Sequence, residues 1–95
     1  MKVVFTELAR LELLDAIDYY ELEFSGLGKR FQQEVKSAIK RIIQYPDAWP
    51  SERNGIRKYV MHKFPYKLIY SLEQDHILII VVAHQHRKPD YWVDR

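Results

Sequence analysis

Six cations, Arg57, Lys58, Lys63, Lys67, Arg87 and Lys88, fall in the second half of the chain among Tyr66, Tyr70, Tyr91, Trp92, His84 and His86. Cations that meet phosphates, beside rings that meet bases, are what a protein uses to hold RNA. The same set supports a cleavage chemistry that needs no metal. A neutral histidine takes the 2′-hydroxyl proton, a cation stabilises the crowded phosphate, and an acid protonates the leaving oxygen. A plainer description also fits, a wetted sheet face whose Tyr and Trp rings are half-buried. Residue physics alone favours the plainer one.

Other chemistries find less support. His84 and His86 share a face if a strand continues through them, and His62 is a third imidazole. A metal centre normally needs three or four convergent ligands with their own supports, and the chain has no cysteine and no carboxylate at ligand-like spacing. Gly26-Leu27-Gly28 precedes a helix but lacks the rest of a nucleotide fingerprint. None of Ser25, Ser37, Ser51 and Ser71 lies in a Gly-x-Ser-x-Gly elbow. No cofactor is expected.

The positioning elements follow from periodicity. Ile77 to Ala83 is a short apolar run rich in Ile and Val, which predicts a strand buried on both faces. Whatever follows Ala83 then emerges at one edge of the sheet, held by a rigid strand. Upstream, Lys2 to Phe5 predicts a first strand, and Thr6 is suited to cap a helix that opens with Glu7. Ala9, Leu13, Ala16, Ile17, Tyr20 and Phe24 recur at helical spacing on one face. Ser25 to Gly28 ends that helix, and Leu27, Phe31, Val35, Ala38, Ile39 and Ile42 mark a second. So short a link makes an antiparallel helical hairpin.

Pro46 stops the second helix, and residues 46–55 read as a loop with an Asn54-Gly55 turn, Trp49 folding over the helix ends. Strands are expected over Ile56–His62, Tyr66–Leu72 and 77–83, joined by short links into an antiparallel meander. The order is β-α-α-β-β-β. The fold class is α+β, a helical hairpin packed on a small antiparallel sheet, in one domain spanning residues 1–95.

Composition agrees with a globular chain: 47% hydrophobic and 29% charged residues exclude a disordered one. No apolar run approaches the roughly 18 residues of a membrane span, and the N-terminus lacks a secretory signal pattern. A cytoplasmic location is expected, without membrane partners. The net charge of +2 is unevenly spread. The first helix is acidic, with Glu7, Glu12, Asp15, Asp18, Glu21 and Glu23 against Arg10, while the second carries Lys29, Arg30, Lys36, Lys40 and Arg41 against Glu34. Such patches suit a phosphate-rich partner without specifying one.

Several pieces of the chain, weak singly, are specific in their order. They are Ala9, Glu12-Leu13, Tyr19-Tyr20-Glu21, Gly26-Leu27-Gly28, Phe31, Pro46, Ile56-Arg57, Phe64-Pro65-Tyr66, Ile69-Tyr70, His84, Arg87, Pro89 and Tyr91-Trp92. Through them the chain resembles the RelE/ParE superfamily of type II toxin–antitoxin toxins, in particular its ParE-like, plasmid-stabilisation branch. The resemblance implies a bacterial growth inhibitor silenced by a cognate antitoxin encoded beside it. RelE-like members cleave messenger RNA on the ribosome with basic sheet residues and a C-terminal tyrosine, without metal. ParE-like members are associated with poisoning DNA gyrase. Lys67 stands where RelE-like enzymes commonly carry Arg, Arg87 and Tyr91 match their C-terminal pair, and His84 and Trp92 belong to the ParE-like pattern. Two functions are therefore carried forward. One is a non-enzymatic toxin that binds a target such as gyrase. The other is a metal-independent ribonuclease with Arg57, Lys67, His84, Arg87 and Tyr91 as its catalytic set.

Overall fold

The computed structural model describes residues 1–88 and 90–95; Pro89, one of the residues carrying the resemblance, lies outside the described residues. The elements are β1 (Lys2–Phe5), α1 (Glu7–Glu23), α2 (Leu27–Gln44), β2 (Ser51–Arg53), β3 (Ile56–Val60), β4 (Tyr66–Leu72) and β5 (His76–His84). One five-stranded sheet has the spatial order β1-β5-β4-β3-β2, and the helical hairpin covers one of its faces.

Two features correct the expected sheet. It is mixed rather than antiparallel, because β1 pairs parallel to β5, from Lys2 opposite His76 to Phe5 opposite Ile79. Strand direction leaves little trace in four residues; the two helices carry the chain from β1 to β2 at the far edge, and the antiparallel run from β2 to β5 then brings β5 back beside β1. A further strand, β2, occupies part of the expected loop and pairs antiparallel with β3. Asn54 (φ 48°) and Gly55 (φ 76°) form its tight hairpin turn. Three exposed polar residues, Ser-Glu-Arg, offer no apolar alternation from which to read a strand.

The hairpin is held by its glycine link. Thr6 caps α1 by accepting the Ala9 N–H at 3.1 Å. At the other end Gly26 has φ 88° and no side chain to cap α2. Glu21 supplies the cap instead, accepting the N–H groups of Gly26 (2.9 Å) and Gly28 (3.1 Å). A side chain at residue 28 would place Cβ 2.6 Å from the Ile17 carbonyl oxygen. Only glycine lets the two helices approach this closely.

Between helices and sheet lie Ala9, Ala16, Phe31, Val35, Ala38, Ile42, Tyr59, Leu68, Tyr70, Ile77 and Ile79, all buried. Leu13, Ile17, Tyr20 and Ile39, members of the two apolar stripes, are half-buried at the margin of this core. Tyr20, Phe31, Phe64 and Tyr66 form an aromatic cluster with ring centres 4.9–6.0 Å apart. Trp49 packs on Tyr59 at 4.8 Å. Phe24 departs from expectation. It is 73% exposed, because the chain leaves the helix at this residue in extended conformation. The opposite side of α1 exposes Leu8, Leu11, Leu14 and Leu22.

The path of β5 sets the site. Ile69 pairs with Val81 and the next residue, Tyr70, with Ile79, so Ile80 is an inserted bulge residue. The insertion changes the phase of the strand. Ile77 and Ile79 face the helices, as does Val82 beyond the bulge, while Val81 and Ala83 join Ile69 and Trp92 on the opposite face.

Candidate functional site

Beyond β5 the chain runs through successive turns, pinned by the Gln85 N–H to the Pro65 carbonyl (2.8 Å) and the Arg87 N–H to the His84 carbonyl (3.0 Å). Trp92 then covers Ile69, Val81 and Ala83. This apolar anchor carries the segment back across the strand edge to α1.

There Glu12 gathers the end of the segment. Its carboxylate accepts the Val82 N–H (3.0 Å), the Tyr91 hydroxyl (2.6 Å) and both terminal nitrogens of Arg95 (2.9 and 2.5 Å). Arg95 also donates to the Ile80 carbonyl at 2.9 Å. Since β1 stops opposite Ile79, these bonds satisfy β5 backbone groups that no neighbouring strand reaches. Burial raises the Glu12 carboxyl, but hydrogen bonds from Arg95, Tyr91 and Val82 outweigh it and hold it below the ordinary carboxylate range. Burial and the Glu12 carboxylate together push the Tyr91 hydroxyl up to about 12. The guanidinium groups of Arg87 and Arg95 lie 4.1 and 5.2 Å from the centre of the Tyr91 ring.

The five residues proposed from sequence are not brought to one point. Arg57 faces the helix side and holds the loop before β2, donating to the carbonyls of Trp49 (2.6 Å) and Asp47 (3.3 Å). Lys67 projects from the opposite face of β4, where it lines a cavity of about 490 Å³. His84 returns to the helix side and lines a second hollow of about 310 Å³ with Glu12, Tyr19 and Tyr66. Its Nδ1 accepts the His86 N–H at 3.1 Å. Arg87 lines both hollows. Tyr91 is committed to Glu12. Among the described residues no group of three or more His, Cys, Asp or Glu converges as a metal cage would require.

Glu12 and Arg95 are not among the site residues expected from the sequence. Glu12 is one of the six acids of α1, but it sits between Ala9 and Ala16 at the i+3 and i−4 positions of the buried stripe. That placement was the available signal. Arg95 offers none, since only the folded turns bring it to α1.

The family model for the ParE toxin of type II toxin–antitoxin systems matches residues 3–89. The chain belongs to the ParE toxin family. Among solved structures it is similar to a chain of the chromosomal ParDE toxin–antitoxin system from P. aeruginosa. That chain superimposes with a TM-score of 0.72 at 19% identity, over 88% of this chain and 95% of the other, a likeness of fold. No curated protein matches significantly in sequence. The protein is thus a type II toxin with the RelE/ParE-like fold expected from its sequence, and membership of the ParE family sets aside the RelE-type ribonuclease alternative. Among the described residues of this ParE toxin, no helix is long and apolar enough to cross a membrane.

Proposed function

We propose that this ParE toxin halts growth by binding DNA gyrase in the cytoplasm, without catalysing a reaction, and that a cognate antitoxin silences it. The observation that carries the non-catalytic part is the commitment of Tyr91. Its hydroxyl donates to an ionised carboxylate 2.6 Å away and resists ionisation up to about pH 12. It is therefore a poor proton donor or acceptor at neutral pH. Of the remaining members, Arg57 and His84 lie on the helix side of the sheet and Lys67 on the other, with Arg87 lining the hollows on both.

For the antitoxin, the support is the outer side of α1. Leu8, Leu11, Leu14 and Leu22 stand exposed there, Leu22 by 89%, among Glu7, Asp15 and Asp18. Leucines at this spacing suit the apolar stripe of an amphipathic segment that folds as it binds. Its cations would meet the flanking acids.

The test is a supercoiling assay with purified gyrase and purified toxin. The reading expects inhibition with accumulation of cleaved DNA, reversed by an equimolar amount of the protein encoded next to the toxin. Full gyrase activity at a large molar excess of toxin would refute it.

A further inference from the structure

The outer side of α2 carries a stripe of cations. Its inner side is fixed by Gly28, Phe31, Val35, Ala38 and Ile42, all buried. Opposite them, Lys29, Lys36 and Lys40 fall within about 40° of one another around the helix axis, with Arg30 and Arg41 along one flank. All five are exposed, and at 1.5 Å per residue the stripe runs about 18 Å from Lys29 to Arg41. Nothing inside the fold balances it. Among the described residues none of the five forms an ion pair with a carboxylate. The one acid of α2, Glu34, turns instead to Lys63 on the link between β3 and β4, at 3.7 Å. Arg41 donates only to the uncharged Tyr59 hydroxyl, at 2.8 Å. Lys29 and Arg30 lie in the first turn, where the helix dipole disfavours cations, and Lys36 and Lys40 are like charges one turn apart. Local electrostatics therefore weaken α2, and the complement to its charge lies outside the chain.

What the stripe lacks narrows the partner. A protein interface has an apolar or aromatic anchor at its centre, and a membrane-surface helix has an apolar face to bury. Here the only large apolar side chain on the outer side is Ile43, 36% exposed near the end of the helix. Single strands are held on exposed rings, and none projects from the stripe, since Tyr45 lies beyond the last turn. A row of cations without rings or anchor suits duplex backbone. That backbone carries one charge per about 1.7 Å of axis, so about ten charges run beside 18 Å of helix. From this we infer that the outer face of α2 is a sequence-independent docking surface for the phosphate backbone of duplex DNA, with Lys29, Lys36 and Lys40 at its centre. Phosphate contacts position a protein on the duplex without reading bases. Gyrase acts on duplex DNA, so this face would hold the toxin against its proposed target's substrate. The inference stands without the gyrase reading and is tested without gyrase.

The experiment is fluorescence anisotropy of a labelled, mixed-sequence DNA duplex of about 20 base pairs, titrated with the whole protein across about 50–200 mM salt. Wild type should bind saturably, with a slope of log affinity against log salt of about −4. The triple variant Lys29→Gln, Lys36→Gln, Lys40→Gln should bind at least about tenfold more weakly at low salt, its slope shallower by about 2.7. A matched triple, Lys2→Gln, Lys58→Gln, Lys88→Gln, removes the same charge elsewhere and should keep the slope, losing less than about threefold. Replacing the same three α2 lysines by Arg should retain binding, because phosphate contact needs only the charge. Folding is checked by thermal melting. Gln is as good a helix former as Lys, so the α2 triple should melt at or above the wild-type temperature as Lys36 and Lys40 cease to repel. No duplex binding at the lowest salt would overturn the proposal. So would equal losses in the two Gln triples, a single strand bound as tightly as the duplex, or polyglutamate that displaces the duplex as well, charge for charge, as unlabelled duplex does.

Discussion

The two faces of one sheet are built on opposite terms. The helix-covered face is closed by interlocking rings and aliphatic side chains, and its polar atoms are paired, as where Tyr70 donates to the Pro46 carbonyl at 2.8 Å. The other face is covered only in part, by Trp92, and beside that cover stands Lys67 with an open cavity. Alternation along β4 sends Leu68 and Tyr70 one way and Lys67 and Ile69 the other, with the Ile80 bulge keeping β5 in step. One face carries the stability of the domain, and the other stays partly open to solvent.

That contrast breaks most visibly at Phe31, which is fully buried at the centre of the aromatic cluster. Phe31→Ala should destabilise the protein by about 3–5 kcal/mol in chemical denaturation. Gly28→Ala should come next, at about 1–3 kcal/mol, because its methyl group meets the backbone of Ile17 and the helices must part.

Glu12→Gln tests the polar tie between α1 and the end of the chain, and should cost about 1–2 kcal/mol at neutral pH. It also carries a pH signature. The folded Glu12 carboxyl lies below its unfolded value. Its contribution is therefore complete above the unfolded pKa, about 4.3, and is lost as pH falls through the lower folded value. Denaturation midpoints of Glu12→Gln should accordingly fall less on acidification than those of wild type. Tyr91 has the opposite sign. With its folded pKa at about 12, its contribution is complete below the unfolded value near 10 and is lost as pH rises through about 12. The smallest effect is expected for Tyr91→Phe, about 0.5–1.5 kcal/mol, since it removes one hydrogen bond and leaves the ring against Arg87.

The legibility of these features in the sequence followed their range. The α2 stripe was plain because Phe31, Val35, Ala38 and Ile42 repeat at 3.6-residue spacing, a local pattern that the core then enforces. In α1 the same logic was blurred, since Leu8, Leu11, Leu14 and Leu22 form a second apolar row facing outward. The parallel pairing of β1 and the Ile80 bulge depend on the partner strand and so leave little mark on their own residues. The candidate site was legible by type but not by place. Arg57, Lys67, His84, Arg87 and Tyr91 can be picked out by residue type, yet the phase of each strand decides which face receives which. The Glu12–Arg95 pair closes 83 residues of chain, and nothing local announces it.

The proposed mode of action rests on surfaces for binding rather than on an assembled set of catalytic groups. Its most direct test is primer extension across ribosome-bound messenger RNA in cells after induction of the wild-type toxin, with DNA breaks followed in the same culture. Intact messenger RNA, alongside double-strand breaks that require active gyrase, is the predicted result. Discrete, EDTA-insensitive cuts in the messenger RNA that vanish in Tyr91→Phe would contradict it.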